Sequence, residues 1–175
     1  YIFSMKLLLI FIYLVTSNIG YALEKPNIKN LVLLKNPKSY EDVTFLDINE
    51  INVNLNDFKG KLIILNFWAT WCAPCKDEMP SLDNLQSNTK LNNLKIFPIN
   101  VGQEDRSQSE RFFKELNINN LDIYIDAPIT LAKKFSLRGV PTTILFNKEG
   151  KEFARILGSI DFNDEEFINW LKVYN

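Results

Sequence analysis

The amino-acid sequence predicts an α/β sandwich, and two observations carry that expectation. Two nearly continuous apolar runs, "LIILNF" (62–67) and "LKIFPINV" (94–101), have the pattern of strands buried on both faces, with helix-patterned segments between and after them. Further on, "TTILFN" and "KEFARIL" flank "KEG" as a hairpin pair and lead into a closing amphipathic helix. Strands alternating with helices, ending in a hairpin and a helix, are how a layered α/β domain reads.

The elements follow in order. Met5 and Lys6 precede the apolar run "LLLIFIYLV" (7–15), and Gly20-Tyr21-Ala22 puts small residues at positions −3 and −1 of a cleavage site. Residues 1–22 therefore read as a secretory signal peptide, with residues 1–4 ahead of the expected initiator Met5. A retained membrane anchor is the alternative, although a spanning helix needs ~20 apolar residues. Export would place the thiols where they tend to be oxidised. Residues 23–42, polar and carrying Pro26, Pro37 and several Asn, read as a lead-in to a domain over 43–175. "VTFLDINEINVNLNDFKGK" holds two short strand-like runs around Asp47 to Glu50. A helix is expected from near Cys72 through "KDEMPSLDNLQ", with Pro80 inside it as a kink.

"SQSERFFKEL" (107–116) is helical by pattern and "DIYID" (122–126) is a short strand. "PITLAKKF" (128–135) reads as a helix with its proline in the first turn. In the last helix Asn163 is placed to cap, Glu166 to close a capping box, and Phe162 and Phe167 to form a hydrophobic staple. Phe167, Trp170, Leu171 and Tyr174 share one face, which reads as core packing.

Composition removes several function classes. The chain has 175 residues and a net charge of −1, with basic residues scattered, so no basic stripe suggests nucleic acid. It contains no histidine, the commonest general base and transition-metal ligand. Its two cysteines both lie in "NFWATWCAPCKDEMP" (66–80). A structural zinc site wants four Cys or His ligands, and two are present. A structural staple across Cys72 and Cys75 would close almost no loop and constrain the unfolded chain little. Electron exchange fits better. Thiolate is the attacking form, and a strand running into a helix puts Cys72 at the helix N-terminus, where free N–H groups and the macrodipole favour a negative sulfur. Cys75, one turn on, is placed to attack a mixed disulfide on Cys72. Pro74 suits the first turn. Lys76 is either a helpful positive charge or a solvated surface lysine.

"FWATWCAPC" followed by Glu78-Met79-Pro80 resembles the thioredoxin-like proteins of the TlpA/ResA/DsbE group, exported thiol–disulfide oxidoreductases. "LNDFKGKLIILNFWATWCAPC", "GVPTT" (139–143) and "FNKEGKEFARILG" extend the likeness over roughly residues 43–175. The resemblance implies a thioredoxin-like fold: a central mixed sheet flanked by helices, with an N-terminal hairpin and a helix–strand unit inserted within 84–120. It implies Cys72 as the exposed nucleophile and Cys75 as the buried resolving thiol, with Trp71, Ala73 and Pro74 shaping the site. The residues alone leave Val140-Pro141 open between a cis bond and a trans proline opening a strand. The resemblance implies cis, with Val140 backbone groups aimed at a bound substrate.

The departures from the family pattern concern protons. Asn66 stands where plain thioredoxin keeps a buried aspartate, the partner lysine falls near Pro98, and Ala73 replaces the glutamate that ResA-like members carry between the cysteines. Glu78, three past Cys75, is the nearest remaining carboxylate, either a proton shuttle or a helix-surface charge. The implied activity is reduction of client disulfides in the periplasm by a monomer without cofactor or metal. Its clients would be apocytochrome c or the copper-site cysteines of a respiratory oxidase assembly factor, with electrons from a membrane thiol-reductant carrier. A general dithiol oxidant, or a non-catalytic module holding a client or a copper ion, are the rival readings.

Overall fold

The computed structural model describes residues 25–175; the predicted signal segment lies outside them. Eight strands form one sheet: β1 (Leu31–Lys38), β2 (Thr44–Asp47), β3 (Asn52–Asn54), β4 (Leu62–Trp68), β5 (Leu94–Asn100), β6 (Tyr124–Ile125), β7 (Thr142–Phe146) and β8 (Glu152–Leu157). Their order is β1-β8-β7-β4-β5-β6-β2-β3. β4, β5 and β6 run parallel, while β7, β8 and β1 on one side and β2 and β3 on the other pair antiparallel. The sheet is thus mixed, as expected. Four helices flank it: α1 (Ala73–Gln86), α2 (Arg106–Glu115), α3 (Leu131–Lys134) and α4 (Glu165–Leu171). None of the described helices is long and apolar enough to cross a membrane.

The apolar run at 62–67 forms β4 because both of its faces are covered, and every residue of the strand is buried. Side chains alternate across a strand. Leu62, Ile64 and Trp68 therefore join one core with α1, α2 and α4, and Ile63, Leu65 and Phe67 join the other with α3. Asn66 falls by this alternation on the first face, beneath α1.

Several local expectations shift. The stretch read as lead-in contributes β1, an edge strand whose Leu31, Val32 and Leu33 pair with Ile156, Arg155 and Ala154. The helix expected from Pro128 begins at Leu131. Asp126 explains the delay. Its carboxylate accepts from Thr130 N (3.0 Å), Leu131 N (3.0 Å) and Ala132 N (2.9 Å), and so supplies the helix start from upstream. Pro128 precedes that start, on a cis bond to Ala127. The last helix is capped by Asp164, which accepts from Phe167 N at 2.8 Å, one residue after the expected Asn163. Glu166 consequently closes no box and instead accepts from Asn27 N at 3.1 Å. The Phe162–Phe167 contact survives, with ring centroids 5.8 Å apart, because both rings are buried in the core. Phe167, Trp170 and Leu171 are core residues, as their common face implied.

Candidate active site

β4 ends at Trp68, and the chain turns through Ala69 to Trp71 before entering α1. Cys72 N donates to Ala69 O at 3.1 Å and closes that turn. Cys72 is the N-cap of α1: its backbone is extended (φ −87°, ψ 103°) and its Sγ accepts from Cys75 N at 3.2 Å. A sulfur in this position receives one of the helix's free amides, which favours its anionic form. Pro74, in the first turn, costs no helical hydrogen bond. Cys72 and Cys75 are joined as a disulfide, with Cα atoms 5.3 Å apart.

Cys72 is 4% exposed and Cys75 fully buried. In the disulfide form the predicted exposed nucleophile is therefore nearly covered, because its sulfur turns inward onto the Cys75 amide and the core. Trp71 beside it is 73% exposed, and Ala73 and Pro74 are also at the surface. Lys76 pairs loosely with Glu115 (3.8 Å) and both are more than half exposed, so the surface reading of that lysine holds. In the reduced protein, alkylation at neutral pH is expected to label Cys72 well before Cys75; faster labelling of Cys75 would reverse their roles.

β7 runs beside β4 and starts at the end of that strand where the cysteine turn begins. Phe67 lies opposite Thr142 in the β4–β7 ladder, so Pro141 is next in line at the Trp68 end of β4, from which the cysteine turn departs. The Val140–Pro141 bond is cis. Thr142 Oγ1 donates to Gly139 O (2.8 Å) and Gly158 N to Pro141 O (2.9 Å), holding the loop on both sides. A groove of ≈ 540 Å³ opens beside it, lined among others by Leu137, Arg138, Val140, Pro141, Leu157 and Gly158.

Below the cysteines lies a buried polar cluster. Asn66 and Thr143 are cross-strand partners on the α1 face, and Asn66 Nδ2 donates to Thr143 Oγ1 (3.0 Å) and to Glu78 Oε1 (2.8 Å). Glu78 Oε2 accepts from Ile160 N at 3.3 Å. Glu78 is 2% exposed, so it is not the helix-surface charge that its spacing also allowed. Burial pushes its carboxyl up to about 7, against the opposing pull of the hydrogen bonds from Asn66 and Ile160. Pro98 pairs with Asn66 in the β4–β5 ladder, which puts no lysine beside it. Asn66→Asp is expected to destabilise the fold by on the order of 3 kcal/mol at pH 8, and by much less at pH 5. Two carboxylates at hydrogen-bond distance cannot both ionise there. Thermal melts at the two pH values check this.

Thr143, the Ile160 amide and Glu104, which holds Thr70 at the cysteine turn, were not singled out in the sequence. Strand alternation could have placed Thr143 beside Asn66 once the ladder was known. Nothing local links Glu104 to Thr70, 34 positions away.

The AhpC/TSA family matches residues 38–151. Thiol-disulfide oxidoreductase ResA of Geobacillus kaustophilus is 32% identical over 71% of this chain and 71% of its own length. The chain belongs to the AhpC/TSA family, among its ResA-like thiol–disulfide oxidoreductases. ResA of Bacillus subtilis is 34% identical to this AhpC/TSA member over 65% of the chain, a match that spans 63% of the relative. A secreted thiol-disulfide isomerase of Corynebacterium glutamicum superposes with a TM-score of 0.71 at 22% identity, covering 87% of this chain and 96% of that one. A thiol:disulfide interchange protein of the thioredoxin family from Chlorobium tepidum gives 0.66 at 22% identity, over 79% and 97%. At such identities the two structures speak for the fold alone, which is thioredoxin-like.

Proposed function

We propose that this ResA-like protein is an exported reductase of protein disulfides. The observation that carries the reading is the placement of Cys72: it caps α1, receives the Cys75 amide, and is the only one of the pair with any surface. Cys72 thiolate attacks a client disulfide sulfur, forming a mixed disulfide and releasing one client thiolate. Cys75 then attacks Cys72 Sγ, which frees the second client thiolate and leaves the Cys72–Cys75 disulfide. Two electrons pass from enzyme to client, and a membrane thiol-reductant carrier restores the dithiol. The Val140–Pro141 loop and its groove receive the client backbone beside the disulfide.

The clients are cysteine pairs that must be thiols before they bind haem or copper: apocytochrome c, or a respiratory oxidase assembly factor. The signal pattern at 1–22 supports a periplasmic location, the domain acting as a monomer beyond it. The test is direct. The reduced protein should reduce a disulfide-closed Cys-X-X-Cys-His peptide stoichiometrically and should equilibrate with glutathione as a reductant. A protein that instead oxidises the dithiol peptide, with a potential near that of a strong oxidant, would overturn the assignment of direction.

A further inference from the structure

Glu104 lies in the loop between β5 and α2, and its side chain reaches the cysteine turn. Its Oε1 accepts from both Thr70 N (2.8 Å) and Thr70 Oγ1 (2.6 Å). Thr70 is two residues before Cys72, inside the turn closed by Cys72 N and Ala69 O. Since two residues span at most ~7 Å, adding the hydrogen bond, the Thr70 N–Cα bond and the cysteine side chain puts the carboxylate within about 14 Å of the Cys72 sulfur.

The loop is built to bring it there. Asn100 is buried; it accepts from Gly102 N (2.6 Å) through Oδ1 and donates to Ser109 Oγ (2.8 Å) through Nδ2. A Cβ on Gly102 would lie 1.5 Å from Glu104 Oε2, so the folded-back carboxylate needs glycine at that position. Glu104 is ionised at neutral pH. Burial pushes its carboxyl up, but hydrogen bonds from the Thr70 hydroxyl and amide, from its own backbone and from Asn100 together hold it below the ordinary carboxylate range.

We propose that Glu104 is a positioning residue that braces the turn carrying Cys72 and sets a fixed negative charge beside it, making the dithiol a stronger reductant. The helix start favours the Cys72 thiolate, and whatever favours the thiolate stabilises the reduced protein. A nearby anion acts in the opposite sense. In the exchange of enzyme disulfide plus two glutathione thiols for enzyme dithiol plus glutathione disulfide, it favours the left-hand side. The other charged groups on the neighbouring elements are Lys76, Asp77 and Glu78 on α1, Glu115 on α2, paired with Lys76, and Arg138 on the loop before Pro141. Of the acidic ones, Glu104 is bonded directly to the cysteine turn. The inference deepens the reductase reading and rests on it for its meaning.

Two variants test it. Glu104→Gln keeps an oxygen able to accept from Thr70 while removing the charge. Gly102→Ala keeps the charge but pushes the carboxylate away from Thr70. The Cys72 pKa, followed by thiolate ultraviolet absorbance, is expected to fall by about half a unit to one unit in Glu104→Gln. It should fall by less in Gly102→Ala. Above that pKa the glutathione equilibrium should move about three- to tenfold toward the dithiol, and well below it the shift should vanish because both thiols are then protonated. An unchanged or raised Cys72 pKa in Glu104→Gln overturns the proposal, and a shift seen in Gly102→Ala alone reduces Glu104 to a brace. Both readouts use only the protein's own cysteines and glutathione. They stand or fall separately from the client assay.

Discussion

A Cys75→Ser variant is expected to stop turnover and accumulate a stable mixed disulfide on Cys72. The reason is geometric. Cys75 lies one turn beyond Cys72 on α1, and the two sulfurs already share a bond, so resolution is an intramolecular attack by a thiol held in place. Oriented intramolecular attack corresponds to effective concentrations of about 10⁵ M or more, against millimolar external thiols. Loss of Cys75 should therefore slow release of the bound client by about 10³-fold or more. Non-reducing electrophoresis after mixing with a disulfide client reads the trapped adduct. Cys72→Ser should give no adduct, since Cys75 is fully buried and offers a client no approach. Equal trapping through Cys75 would reverse the assigned roles.

A Glu78→Gln variant should slow the same resolving step about 100-fold near neutral pH while leaving Cys72 alkylation nearly unchanged. Glu78 sits three residues after Cys75, on the same helical face. With its carboxyl pushed to about 7 by burial, it is close to half protonated at working pH, where a proton acceptor is most effective. A change below about twofold would remove it from the proton path.

Stability offers an independent check. A carboxyl whose folded pKa is raised binds its proton more tightly in the native state than in the unfolded one. Stability is then highest below the ordinary value of 4.5, falls as pH rises from there to about 7, and levels off above. The shift corresponds to a loss on the order of 3 kcal/mol across that window. Melting curves of the wild type should show this decline, and those of Glu78→Gln should lack most of it.

Much of the fold was legible because strand burial leaves a composition mark. "LIILNF" and "LKIFPINV" are apolar but for Asn66, Lys95 and Asn100, and both became central parallel strands covered on two faces. Edge elements left no such mark. In β1, "LVLLKNPK", most side chains face solvent, so its pairing with β8 rests on backbone bonds that residue type does not encode. Helix starts were misplaced by one to three residues for a related reason. Asp126 reaches forward to the amides of α3, and Asp164 outcompetes Asn163 as a cap; which neighbouring polar side chain bonds the free amides depends on the approach angle of the chain.

The sequence by itself determined the reactive pair and its surroundings. Two cysteines at that spacing behind a buried strand, without histidine, favour electron exchange, and the family resemblance implied Trp71, Pro74 and Pro141 as their surroundings. Only the tertiary structure decided the state of the carboxylates. Glu78 reads as a helix-surface charge or a proton shuttle until α1 packs over Asn66 and Thr143. Glu104 carries no signal until the loop after β5 folds back on Thr70. The physical reason is common to both. A carboxylate's charge and proton affinity depend on desolvation and on hydrogen bonds from residues distant in the chain, and the sheet brings these together only when β4, β5 and β7 lie side by side.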